Sequence, residues 1–201
     1  MDKKKISMIL NFLIVVFEII GFIVVFKTNS KVSVEYYTED SNILALVSSS
    51  LFLLFMLMKK DIPKVLKMFK YISTIGLSVT FIVVIFVLAP MYNFDYGYLL
   101  LKDGLLYQHL ICPVLGIISF VLVDDIGKIS VRDNIMGLSF TILYGFVLVI
   151  LNITGIVVGP YPFLKVKEQS IIMSCLWFIV IDGLAFFIAF ILKLLTNKFN
   201  K

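Results

Sequence analysis

Residues 36–42 read Tyr-Tyr-Thr-Glu-Asp-Ser-Asn, set between two long apolar runs. Two hydroxyls, Thr38 and Ser41, stand there beside two carboxylates, Glu39 and Asp40, and one amide, Asn42. Hydroxyls of this kind can attack an acyl carbon, provided that a base takes their proton. A plainer role also accounts for the whole heptapeptide. Threonine is a good N-cap, and acids just inside a helix start suit its dipole. Asn42 then falls one turn below Thr38 on the same face, placed for an amide bond to a neighbouring helix. The residues leave two readings open: a helix start at a water interface, or a nucleophile beside a lipid.

Three other polar residues sit inside apolar runs. Glu18 and Asp182 each fall near the middle of one. A carboxylate at the bilayer centre costs about 2.5–3.5 kcal/mol on insertion scales, so each needs a partner or a proton. No basic residue is visible in a span core to serve them. His109 is the only histidine, within LLYQHLICPVLG. Pro113 follows four residues later and removes the backbone bond to the His109 carbonyl, which predicts a kink. Cys112 shares a face with His109. One histidine, with no Cys or carboxylate at ligand spacing, predicts no metal site, and nothing calls for a cofactor. Cys112 and Cys175 read as small buried hydrophobes.

The elements that position these residues follow from composition. The chain has 201 residues, 61% of them hydrophobic, and a mean hydropathy of +1.06. That excludes a soluble domain and predicts one all-α domain over residues 1–201, a bundle of six transmembrane helices. Runs near 6–26, 41–58, 71–92, 105–123, 134–155 and 171–192 are each long enough to cross about 30 Å of hydrocarbon. The first has too long an apolar core for a cleaved leader and reads as a retained anchor. With the N-terminus inside, thirteen of the eighteen Lys and Arg fall on the inner side. The positive-inside rule then places both termini in the cytoplasm. The inner loop KKDIPKVLKMFK, which holds Lys70, is the strongest single vote. Topology accounts for the net charge of +5, so no nucleic-acid partner is expected. Tyrosines near the outer span ends suit a headgroup belt or the entrance for a lipid tail. Lysine outnumbers arginine seventeen to one, the bias of an AT-rich genome, and suggests the cell membrane of a bacterium.

Thr38 and His109 both fall on the outer side. Measured up straight helices from Met58 and Val123, they differ in height by about 9 Å. A tilt, or an unwound start to the second span, would have to close that gap.

Three motifs together resemble the androgen-induced gene product family of six-span membrane proteins, which has many bacterial members. They are Tyr37-Thr38 followed by Ser41-Asn42 at the start of span two, His109 with Pro113 in span four, and Tyr161-Pro162 in the last outer loop. The resemblance covers essentially the whole chain. It implies an intramembrane hydrolase of lipids in which a fatty acid is esterified to a hydroxy fatty acid. By motif position Thr38 is the nucleophile and His109 its general base. The partners implied are membrane lipids and a fatty-acyl ester substrate. On physical grounds Asn42 is the candidate oxyanion donor, with backbone N–H groups at the start of span two as helpers and Ser41 as site support and rival nucleophile. Glu39 and Asp40 depart from the family pattern, because anions beside a nucleophile oppose an oxyanion. Two other functions compete: a transporter or small-solute carrier using Glu18 and Asp182, and a non-catalytic membrane scaffold.

Overall fold

The computed structural model describes residues 2–29 and 33–199. Lys31 and Lys201, two of the lysines in the topology count, lie outside the described residues. Among those described, six helices are long and apolar enough to cross a membrane, and there is no strand. They are α1 (Lys3–Asn29), α2 (Tyr37–Leu57), α3 (Lys64–Met91), α4 (Leu106–Val123), α5 (Val131–Thr154) and α6 (Ile171–Phe199). The protein is an all-α, multi-pass integral membrane protein.

Helix α3 is the hub. Of its most apolar stretch 67% is buried inside the bundle, against 22% for α6. The reason is in its sequence, where Ser73, Thr74, Gly76, Ser78 and Thr80 let neighbouring backbones approach closely. A Cβ on Gly76 would stand 3.1 Å from the Cβ of Ser41 on α2. Hydroxyl pairs fasten the same seam, Ser48 to Ser73 at 2.8 Å and Ser41 to Thr80 at 2.9 Å. These cross-helix bonds and close backbones hold α2 in a fixed register against α3.

Helix α3 begins directly after Pro63, seven residues before the expected span start. The shift moves Lys70 out of the inner loop and into the bundle, where it is 2% exposed. Its ammonium donates to Asn11 Oδ1 at 2.8 Å and Ser49 Oγ at 2.6 Å. Asn11 in turn donates to Asp124 Oδ1 at 2.9 Å, which also accepts from Ser7 at 2.5 Å and Ser119 at 3.0 Å. A polar knot therefore ties α1, α2, α3 and the end of α4 together near the termini. Glu18 is fully buried, lies against Cys112 and is within the field of Lys70. The expectation that no base enters a span core is corrected by Lys70.

Helix α4 is not a plain α-helix. Leu106–Ile111 and Ser119–Val123 are π-helical, with an α-helical segment between. The Cys112 N–H bonds the Tyr107 carbonyl five residues back. Pro113, which lacks an N–H, is thus accommodated by a wide turn just before it, and His109 rides on that turn. Cys112 is buried as expected, but Cys175 is exposed on the outward face of α6.

The loop from α5 to α6 carries Tyr161, Pro162 and a short 3₁₀ turn, Pro162–Leu164. Gly159 opens it in close contact with the Leu164 backbone, where a Cβ would collide with the carbonyl. Gly159→Ala should lower unfolding stability by about 1–3 kcal/mol, as overpacking does, and displace the Tyr161 turn. Unfolding of the purified variant in detergent, compared with wild type, checks this.

Candidate active site

Helix α2 starts at Tyr37, and its N-cap residue Tyr36 makes no side-chain cap bond. Thr38 is therefore inside the first turn and is not the N-cap. Its hydroxyl is left available for other partners. Two tyrosines anchor the helix start to α5 and the preceding loop. Tyr37 bonds Thr141 at 2.8 Å, and Tyr144 donates to the Glu35 carbonyl at 2.7 Å.

Thr38 Oγ1 lies 3.2 Å from His109 Nε2. The height gap read from the sequence treated both helices as upright rods. Side chains on a helix lean toward its N-terminus, and for His109 that lean runs toward the end where Thr38 sits. His109 Nδ1 is 2.6 Å from the Leu99 carbonyl, in the π-helical turn Gly97–Leu101 before α4. A carbonyl can only accept, so Nδ1 carries the proton. In the neutral imidazole Nε2 is then a bare lone pair, and Thr38 Oγ1–H donates to it. Leu99 plays the orienting part that a carboxylate plays in a Ser-His-Asp triad. No sequence motif announces this contact, because it uses backbone from a loop.

Asn42 is fully buried, and its amide donates to the Thr38 carbonyl at 2.7 Å and the Gln108 carbonyl at 3.2 Å. Both amide protons are committed, so none remains for an oxyanion. Asn42 instead bolts the Thr38 turn of α2 to the residue beside His109 on α4. Ser41 faces α3, bonding Thr80 and the Thr38 carbonyl, and makes no bond to His109. Glu39 is buried and accepts the backbone N–H of Ser33, and is thereby turned to the loop before α2. Asp40 is partly buried.

Tyr161 arrives from the α5–α6 loop. Its phenol oxygen is 3.5 Å from Thr38 Oγ1 and 3.4 Å from the Thr38 backbone nitrogen. The ring stacks on Phe163 at 5.3 Å and meets Tyr36 edge-on at 6.0 Å. Burial pushes its hydroxyl up to about 12, so it keeps its proton throughout the neutral range.

Thr38 and Tyr161 form one wall of an apolar cavity between α2, α3, α5 and α6. Its volume is about 60 Å³, and it opens on one side. Val83, Leu88, Trp177 and Phe178 supply much of the apolar lining. Asp182 is half-buried in the same wall, whereas Glu18 lies beside Cys112 on α4. These two mid-span carboxylates serve different surroundings. Of the tyrosines, Tyr37, Tyr144 and Tyr161 line the cavity, while Tyr36, Tyr92, Tyr96 and Tyr98 are exposed.

No known family, curated protein or solved structure matches the chain. Its functional reading therefore rests on its own geometry and on the motifs of its sequence. Among the described residues no cluster of three His, Cys, Asp or Glu is placed to hold a metal ion.

Proposed function

We propose that the protein is an intramembrane lipid-ester hydrolase, with Thr38 as nucleophile and His109 as general base. The observation that carries this is the 3.2 Å contact between Thr38 Oγ1 and His109 Nε2, with the Nδ1 proton held by Leu99. Thr38 stands on the wall of an apolar cavity, and His109 reaches it from α4 outside the lining, an arrangement that suits an ester whose acyl chain lies among Val83, Leu88 and Trp177. The resemblance to the androgen-induced gene product family supports the same pair and suggests fatty acid esters of hydroxy fatty acids as substrates. The lysine distribution favours an outward-facing site at the membrane–water interface of a bacterial cell membrane.

The reaction runs in two displacements. Thr38 Oγ1 attacks the ester carbon while its proton passes to His109 Nε2, and the carbonyl π electrons move onto oxygen. The tetrahedral adduct collapses, the C–O bond to the alcohol breaks, and His109 returns its proton to the leaving oxygen. A water, deprotonated by the same nitrogen, then attacks the acyl-threonine. Its collapse releases the fatty acid and restores Thr38–OH.

Hydrolysis of a panel of long-chain esters by purified protein tests the reading. A wild-type protein without turnover on any of them would sink it. The Ser41→Ala variant separates the two hydroxyls of the heptapeptide. It should keep turnover within a few fold of wild type, since Ser41 is bonded to α3 and not to His109. Loss of turnover in Ser41→Ala, at equal folding, would move the nucleophile one turn along α2.

A further inference from the structure

The reaction proposed above builds charge on the ester carbonyl oxygen, and the side-chain donor expected for it, Asn42, is engaged elsewhere. Asn42 has no free amide proton. Gln108 is buried with its side chain beside Gly21 of α1, and it is not part of the cavity lining. Ser41 is engaged with Thr80. The His109 Nδ1 proton is taken by Leu99.

We propose that Tyr161 is a further catalytic residue, whose hydroxyl donates to the substrate carbonyl oxygen as it becomes an oxyanion on attack by Thr38. The inference rests on the hydrolase reading and completes it. Three observations carry it. First, the phenol oxygen is 3.5 Å from Thr38 Oγ1, the atom that forms the new bond. The oxyanion sits on the carbon bonded to that atom, so it develops close to the phenol. Second, the phenol oxygen faces the start of α2, where the backbone N–H groups of the first turn have no helical partner. The Thr38 N–H points at it from 3.4 Å. That N–H faces a lone pair of the phenol oxygen and leaves the phenol's own hydrogen to be turned elsewhere. Thr38 and Tyr161 share the cavity wall, so a carbonyl entering there meets both. Third, the ring is held from two sides, stacked on Phe163 and edge-on to Tyr36. A donor fixed before the substrate arrives needs no reorganisation during reaction, which is what makes such a group effective.

The distances fit a site that is open between turnovers. At 3.4–3.5 Å the contacts of the phenol with Thr38 are long for hydrogen bonds. The O–H is not spent on a short protein acceptor, and a carbonyl oxygen beside Thr38 would be a better one. Electron flow balances without a further reagent. The carbonyl π pair moves onto oxygen, Tyr161 shares its proton with that oxygen by hydrogen bond, and the pair returns when the leaving alcohol departs.

The test uses the full-length protein in detergent, a long-chain p-nitrophenyl ester as substrate, and two inhibitors. One inhibitor is a long-chain alkyl trifluoromethyl ketone, which a nucleophile converts to a tetrahedral adduct. The other is the matching alkyl alcohol, which only fills the cavity. Tyr161→Phe keeps the ring and its stacking. It should lose kcat on the order of 100-fold, with KM little changed. Trifluoromethyl ketone affinity should fall by a similar factor, and alcohol affinity should hold. Wild-type kcat in Tyr161→Phe would overturn the inference while leaving Thr38 and His109 standing. Equal loss of affinity for both inhibitors would also overturn it, by showing that the ring only shapes the cavity. Undiminished turnover in Thr38→Ala would instead remove the parent reading, and this inference with it.

Discussion

Thr38→Ala should reduce hydrolysis of long-chain esters by at least about 10³-fold, and His109→Ala by a comparable factor. The two losses should not multiply in the double variant, because a nucleophile and its base act as one unit. The expectation follows from the geometry. Nε2 of His109 can accept the Thr38 proton only while Nδ1 keeps its own, and the 2.6 Å bond to the Leu99 carbonyl enforces that. His109→Asn is the sharper control. Its amide nitrogen can take the place of Nδ1 on the Leu99 carbonyl, but an amide is a far weaker base than imidazole. It should fold like wild type and remain inactive. Initial rates at equal folded protein, judged by unfolding midpoints, measure all four variants.

The second large effect is on stability. Lys70→Met should cost about 3–5 kcal/mol, the usual result of removing one partner from a buried charged network. Lys70 is 2% exposed, and its contacts to Asn11 and Ser49 connect it to Asp124. Without the ammonium, the Asp124 carboxylate remains fully buried with no cation in the knot. Methionine fills much the same volume, so the loss reports charge more than packing. Adding Asp124→Asn should recover a large part of it, since the double variant buries no charge of either sign in the knot. Denaturant unfolding in detergent across the single and double variants gives the coupling energy. Independent, additive losses would show that Lys70 and Asp124 do not share a network.

The same two cases show what could be read from residues and what could not. Six spans were legible because an apolar run long enough to cross a bilayer seldom does anything else. Their ends were less so. The expected start of span three at residue 71 ignored Pro63, which stands at the N-cap, one residue before the position where proline is most common in helices. Extending the helix to Lys64 puts Lys70 on the face of Ser73, Thr74 and Leu77, all of which are buried, and the buried cation would have followed. Asp124 gave no such signal. It stands just past the end of α4, and only the packing of α1 against that end shows that it is buried.

At the site, Thr38 and His109 stood out by type and motif, but their separation did not. The height of a residue along a straight helix says nothing of how its side chain leans. Asn42 was placed correctly on the Thr38 face, yet its task is holding carbonyls, which depends on Gln108 from another helix. Leu99 was invisible because any residue has a carbonyl. Tyr161 was part of a motif without a chemical task. Its approach to Thr38 is set by a loop, and loop paths are not encoded in any periodicity.

The most direct test of the central claim is a rapid-quench reaction of wild-type protein with a long-chain p-nitrophenyl ester. Nitrophenolate release is followed in the first turnover, and the acid-quenched protein is digested for peptide masses. A nucleophile that is acylated faster than it is hydrolysed gives a burst equal to the amount of protein. The account predicts that burst, with the acyl mass on the peptide containing Thr38 and neither burst nor adduct in Thr38→Ala. An acyl adduct on another residue, or a burst that persists in Thr38→Ala, would contradict it.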